Sequence, residues 1–210
     1  MLTKELELLA KLFDEGERRS NQEIIEHYQK GLCKILTTTN KENKDEIESI
    51  IVYRDLNEFI YIEYFGLNPK YQGKGKGTKI LNNFIKNVDK LVVLEVEKVD
   101  NEIKQRRVEF YQRLGFYYHD DEYYMPSYET ENENIPLKLM SYPTEMTTQQ
   151  ISKYRQLIWK EVYQRDYKTI LWDRIKNISK AIINAIGYEI FTILTVNCLI
   201  KKFANYKFLF

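Results

Sequence analysis

Little in this chain points to chemistry carried by a metal or a thiol. Among its 210 residues are two cysteines, Cys33 and Cys198, far apart and without CxxC or Cys/His spacing. That pattern argues against a zinc site, so no metal is expected, and both residues read as reduced thiols in a cytoplasmic protein. Histidine is as scarce. His27 lies on an amphipathic stretch and His119 stands beside Asp120-Asp121, so both are expected at the surface, and no Ser/His/Asp set is visible. Charge of one sign is missing too. With 32 basic and 31 acidic side chains the formal net charge is +1, and no overall field calls for nucleic acid. The opening MLTKELELLAKLFDEGERR contains no uninterrupted apolar run and so does not read as a secretory signal. Glycine is sparse, at eight residues, yet three of them alternate in Gln72-Gly73-Lys74-Gly75-Lys76-Gly77-Thr78.

The periodicities around that stretch alternate between helical and extended. Leu6, Leu9, Leu12 and Phe13 recur at helical spacing, and Gly16 ends the run. Ser20-x-x-Glu23 fits a capping box, with Ile24, Ile25, Tyr28 and Leu32 as its apolar stripe. Extended runs are expected at Lys34–Thr39, Glu48–Tyr53 and Phe59–Leu67, the last two joined as a hairpin. After the glycines, Ile80, Leu81, Phe84 and Val88 mark a helix. Leu91–Val96 has the nearly continuous apolar look of a buried central strand. A charged helix over 102–113 turns Val108 and Tyr111 inward and stops at Gly115. Strands then start at Phe116 and at Leu137, and Thr147-x-x-Gln150 caps a helix with Ile151, Tyr154, Ile158 and Val162 inside. The fold class is α/β (α+β), a mixed central sheet flanked by helices.

The glycine stretch fails two familiar phosphate loops on spacing. A Walker A loop needs Ser or Thr directly after Gly-Lys, and here Gly77 intervenes between Lys76 and Thr78. A dinucleotide fingerprint needs a glycine where Thr78 stands. A strand end, flexible glycines and a following helix would still gather backbone N–H groups around an anion. The stretch alone leaves two readings open, an anion cradle and a mobile Lys/Gly surface turn.

Its neighbours add a resemblance. Gln72-Gly73-Lys74-Gly75-Lys76-Gly77 is similar to the (Arg/Gln)-x-x-Gly-x-(Gly/Ala) signature of the GNAT acetyltransferase superfamily. Tyr61-Ile62-Glu63-Tyr64-Phe65-Gly66-Leu67 resembles the strand before that loop. Tyr111-x-x-x-Gly115-Phe116 resembles the family's second landmark. The likeness spans about residues 3 to 168 and implies a GNAT domain over 1–168, lacking the family's usual first strand. It implies direct acetyl transfer from acetyl-CoA to an amine of a small molecule or a protein. The loop residues Gln72, Gly73, Lys74, Gly75, Lys76, Gly77 and Thr78 would hold the CoA pyrophosphate, and the backbone of Phe65 and Leu67 would meet the pantetheine. Tyr111 would be the acid that protonates the leaving thiolate and Glu63 the base. Lys104 stands where many members carry an asparagine, and Glu15, Glu17, Arg18 and Arg19 fall at the acceptor cleft. A non-catalytic acyl-CoA-binding module with the same fold is the alternative.

Residues 169–210 lie beyond the resemblance and read as an apolar, basic helical extension. Ile178, Ile182, Ile186, Ile190, Leu194 and Cys198 form its stripe, and the segment 181–200 has the length of a bilayer span with Glu189 set against it. Packing on the domain or on a second subunit, as a homodimer, is the leading expectation, and membrane association the lesser one.

Overall fold

A computed structural model describes residues 2–128 and 134–165, together with Tyr167 and Asn184. Met1–Gln164 form one compact unit, and Arg165–Phe210 are assigned to a second. The expected boundary at 168/169 and, apart from Asn184, the apolar segment 181–200 lie outside the described residues. Among those described, no helix is long and apolar enough to cross a membrane.

The first unit opens with helix α1 (Thr3–Leu12) and, after a single 3-10 turn at Glu15–Glu17, helix α2 (Asn21–Gln29). The Ser20–Glu23 capping box is formed in both directions, which accounts for the sharp start of α2. Strands β1 (Lys34–Thr39), β2 (Ile47–Asp55) and β3 (Phe59–Leu67) follow as an antiparallel meander. Helix α3 (Lys76–Lys86) carries the chain across to β4 (Leu91–Glu97), which lies parallel to β3. Helix α4 (Glu102–Arg113), strands β5 (Tyr117–Pro126) and β6 (Asn134–Tyr142), and helix α5 (Thr148–Leu157) complete the order. The sheet runs β1-β2-β3-β4-β6-β5, a mixed sheet as expected, with each element near its expected place.

Two clusters of buried side chains cover the sheet. Leu81, Phe84 and Ile85 of α3 and Val108 and Tyr111 of α4 pack on Ile60, Ile62, Leu94 and Met140. Leu6 and Leu9 of α1 and Ile24 of α2 pack with Ile50, Val52 and Tyr64. Each fully buried aliphatic chain contributes about 1.5–3 kcal/mol, so these stripes anchor the helices.

Expectations about burial are corrected at four residues. His27 is buried because the inward face of α2 extends from Ile24 to the next turn, where its Nδ1 accepts from Arg54 Nη2 at 2.7 Å. Burial first, then the charges of Arg19 and Arg54, hold this imidazole below its usual range and therefore neutral. His119 is buried on β5, with Nε2 2.8 Å from Ser141 Oγ, whose hydroxyl donates to Thr144 O at 2.7 Å. Conversely, Tyr28 and Leu32 are exposed rather than part of the buried stripe. The helix has ended by Gln29, and Gly31 at φ +69° turns the chain away towards β1.

Candidate active site

The ladder between β3 and β4 is short. It pairs Phe59 with Leu91 and continues only to Ile62 with Leu94. Beyond that point both strands go on, to Leu67 and to Glu97, without pairing to each other, while β2 keeps its ladder with β3 as far as Leu67 and β6 keeps its ladder with β4 as far as Glu97. The sheet therefore splits open at its centre, leaving the β4-facing edge of β3 without ladder partners over Glu63–Leu67 among the described residues.

A cleft of about 560 Å³ occupies this opening. Gln72, Gly73, Gly75, Lys76, Gly77 and Thr78 line one end; Phe65, Leu67 and Tyr111 line its walls. Gly73 and Gly75 have φ of +75° and +68°, the left-handed region that favours glycine, and a Cβ on either would meet nothing within 4 Å. Gly75 is the N-cap of α3, where no side chain caps the helix. The first N–H groups of α3 thus face the cleft with the positive end of the helix dipole behind them.

The other loop residues divide. Gln72 Nε2 donates to Leu67 O at 3.1 Å and so braces the strand end against the turn. Lys76 donates to Glu48 Oε1 at 2.7 Å and lies over the Tyr71 ring, while its backbone opens α3. Lys74 is exposed and is not among the residues lining the cleft, and Lys104 is paired with Asp100 at 2.8 Å.

Tyr111 is buried beneath the cleft between the rings of Phe110 and Phe116. Burial pushes its phenol up to about 12, so it is a proton donor at neutral pH. Glu63 is also buried, and both its oxygens are taken: Arg19 Nε lies 2.8 Å from Oε1 and Arg54 Nε 2.7 Å from Oε2. Burial alone would raise this carboxyl, but Arg54 and Arg19 hold it below the usual range. The network extends from Arg19 to the Val162 carbonyl and the Tyr128 ring, and from Arg54 to His27.

Sequence reasoning passed over Glu95. It lies on β4 at the point where the strands part, and it lines both the main cleft and a second, adjoining cavity of about 120 Å³. Tyr123 donates to its Oε1, and Tyr163 donates to Oε2 at 2.6 Å. Burial pushes the carboxyl up to about 7; the phenol hydrogen bonds oppose that rise and the nearby Glu63 adds to it. The signal was there, a carboxylate set inside the apolar run Leu91–Val96.

A carboxyl raised on folding destabilises the protein where it must ionise. The penalty is absent below about pH 4.5 and grows as pH rises towards 7, reaching on the order of 3 kcal/mol. Glu95→Gln is expected to raise the melting temperature by several degrees at pH 8 and hardly at all at pH 5. Thermal melts at the two pH values check this, and an equal shift at both would refute the burial cost.

The sequence profile of the acetyltransferase (GNAT) domain matches residues 33–118, from just before β1 into β5. A Bacillus subtilis (strain 168) protein described as "Putative acetyltransferase YjbC" is 32% identical over 77 residues, covering 35% of this chain and 40% of that protein. The chain thus aligns with less than half the length of this curated relative. A solved GNAT-family structure from Bacteroides thetaiotaomicron is 29% identical, with a TM-score of 0.71, and covers 77% of this chain and 91% of its own. The fold is also that of Arabidopsis thaliana NAA60 solved with acetyl-CoA, at TM-score 0.52 and 14% identity, over 67% of this chain and 92% of the other. The split sheet, the glycine turn heading α3 and these likenesses agree with one another, and residues 33–118 match the GNAT acetyltransferase domain.

Proposed function

We propose that the protein is an acetyl-CoA-dependent N-acetyltransferase that passes an acetyl group directly to an amine. The observation that carries this is the uncapped N-terminus of α3, built on a left-handed glycine, opening into the split between β3 and β4. Backbone N–H groups from Gly73 to Thr78 bind the pyrophosphate of CoA, with Gln72 acting through Leu67 and Lys74 and Lys76 through their main chain. The free edge of β3 at Phe65 and Leu67 receives the pantetheine arm as a short added strand. The curved amide chain of CoA suits such an edge, and the cleft volume lies within the roughly 300–1,000 Å³ usual for ligand sites.

Tyr111 is the acid in this reading. Its raised phenol keeps the proton at neutral pH and gives it to the departing thiolate. Glu63, expected as the base, is better suited to hold Arg19 and Arg54 in place, since a carboxylate bonded to two guanidiniums accepts a proton poorly. The 1–168 domain carries all of this machinery. Replacing Tyr111 with phenylalanine is expected to lower kcat by about 100-fold, with CoA affinity kept. Thiol release from acetyl-CoA across an amine panel measures it. Unchanged turnover would remove Tyr111 from the mechanism, and no thiol release with any amine would overturn the enzyme assignment.

A further inference from the structure

A turn built on two left-handed glycines gains nothing from side-chain packing at those positions, since a Cβ on Gly73 or Gly75 would meet nothing within 4 Å. Glycine also loses more backbone freedom on ordering than any other residue. The shape of the turn therefore depends on ties made by its neighbours.

Those ties converge on the start of β2. Asn68 N donates to Glu48 O at 2.9 Å, and Asn68 Nδ2 donates to Ile47 O at 3.3 Å. Lys70 is paired with Glu46 at 2.9 Å. Tyr71 N donates to Asn68 O at 2.8 Å, and the ring of this buried tyrosine lies 4.4 Å from the Lys76 ammonium. Lys76 Nζ reaches Glu48 Oε1 at 2.7 Å. Asn40 Nδ2 donates to the same oxygen at 3.2 Å and to Tyr71 Oη at 2.9 Å. Asn40 is fixed in its turn, because its Oδ1 accepts from the N–H groups of Glu42 and Asn43 at 2.8 and 3.1 Å. From Gly73 to Thr78, Lys76 is the one residue whose side chain makes a hydrogen bond or ion pair among the described residues.

We propose that Glu48 is a positioning residue for the cofactor. It holds Lys76, the first residue of α3, and thereby keeps the Gly73–Gly77 turn in the shape that receives the CoA pyrophosphate. The inference rests on the acetyltransferase reading above and deepens it. A lysine beside an anion site invites the role of phosphate ligand, but the geometry gives Lys76 another. Glu48, Asn40 and Tyr71 do not line the cleft, so its ammonium is drawn towards β2 and the ligand is left to meet backbone N–H groups.

The tie is placed to be effective. The side chains of Glu48 and Lys76 are 13% and 35% exposed, so water screens them less than it screens a pair standing free at the surface. The Tyr71 ring offers a π face to the same ammonium, and Asn40 holds the carboxylate in place. A turn already in its bound shape gives up less freedom when CoA arrives, so affinity follows the fraction of molecules that hold that shape. Loosening the tie lowers that fraction. Once CoA is bound it orders the turn itself, and the transfer step, which Tyr111 serves from α4, is untouched.

The test uses the full chain, with CoA in calorimetry and acetyl-CoA turnover with the best amine of the panel. Glu48→Gln is expected to weaken CoA about tenfold and to raise KM for acetyl-CoA as much, with kcat within about twofold of the parent. Lys76→Met should weaken CoA to a similar degree, and the double variant no further, because the two side chains act as one tie. Glu48→Asp, which keeps the charge, should recover part of the loss. Asp55→Asn is the control. It breaks the 2.6 Å pair with Lys90 at the far end of β2, and its CoA affinity should match the parent. Unchanged or tighter binding in Glu48→Gln beside a loss in Lys76→Met would make Lys76 a phosphate ligand and overturn the proposal. Losses that add in the double variant would deny the single tie, and an equal loss in Asp55→Asn would reduce the effect to general loosening. Absence of CoA binding in the parent would instead refute the acetyltransferase reading beneath it.

Discussion

Glu63→Gln is expected to lower the unfolding free energy by about 3–5 kcal/mol, a large fraction of the stability of a typical domain. The reason is the position of the two arginines. Arg19 and Arg54 are 4% and 2% exposed, so a neutral amide at 63 would leave two guanidinium charges inside the protein sharing what remains of their partners. Arg54 would keep His27, which is neutral, and Arg19 would keep the Val162 carbonyl and, at 4.0 Å, the half-exposed Glu23. Neutral partners and a solvent-screened carboxylate do not replace the buried anion. For a protein of this size the loss corresponds to a fall in melting temperature of roughly 10 °C. Urea titration at pH 7 measures it. A loss below about 1 kcal/mol would show that water reaches these guanidiniums and that the pairing behaves as a surface ion pair does.

The second large effect concerns ligand affinity. Gly75→Glu is expected to weaken CoA binding by at least about 100-fold in calorimetry, for two separable reasons. A side chain at φ +68° costs about 1–2 kcal/mol in the left-handed region, which drives the turn out of its cradle shape. The added carboxylate also sets a negative charge where the pyrophosphate would lie, in place of open space. Gly75→Ala isolates the first effect. Gly31→Ala provides the control, because Gly31 has nearly the same φ, +69°, but lies outside the cleft lining, and its CoA affinity should match the parent. Equal affinity in Gly75→Glu and the parent would refute the cradle.

The order of helices and strands was legible because each element carries its own period. Ile24 and Leu81 mark helical faces, and the extended runs at 59–67 and 91–96 are apolar enough to be central strands. The glycine turn was legible too, since its spacing excluded two loops and its neighbours suggested a third. What could not be read was anything depending on three elements at once. Arg19, Arg54 and Glu63 come from the α1–α2 connection, β2 and β3, and no spacing in the sequence announces that they meet. Glu95 was hidden differently. It interrupts a run that reads as ordinary strand core, and its value follows only from phenols supplied by β5 and by the turn after α5. A carboxylate in an apolar strand is costly to bury without partners, and that holds for Glu63 and Glu95 alike.

The early end of the β3–β4 ladder also bears on how the chain avoids its neighbours. An unpaired strand edge at the rim of a sheet is a template for another polypeptide, and proteins usually blunt it with charge, proline or a bulge. Here the unpaired edge of β3 lies inside the sheet, between β2 on one side and the diverging β4 on the other, with α3 and α4 flanking the cleft. A slender amide chain can reach it, but a second β-strand with its own side chains and neighbours cannot. The protein therefore carries an unpaired hydrogen-bonding edge without offering it for aggregation.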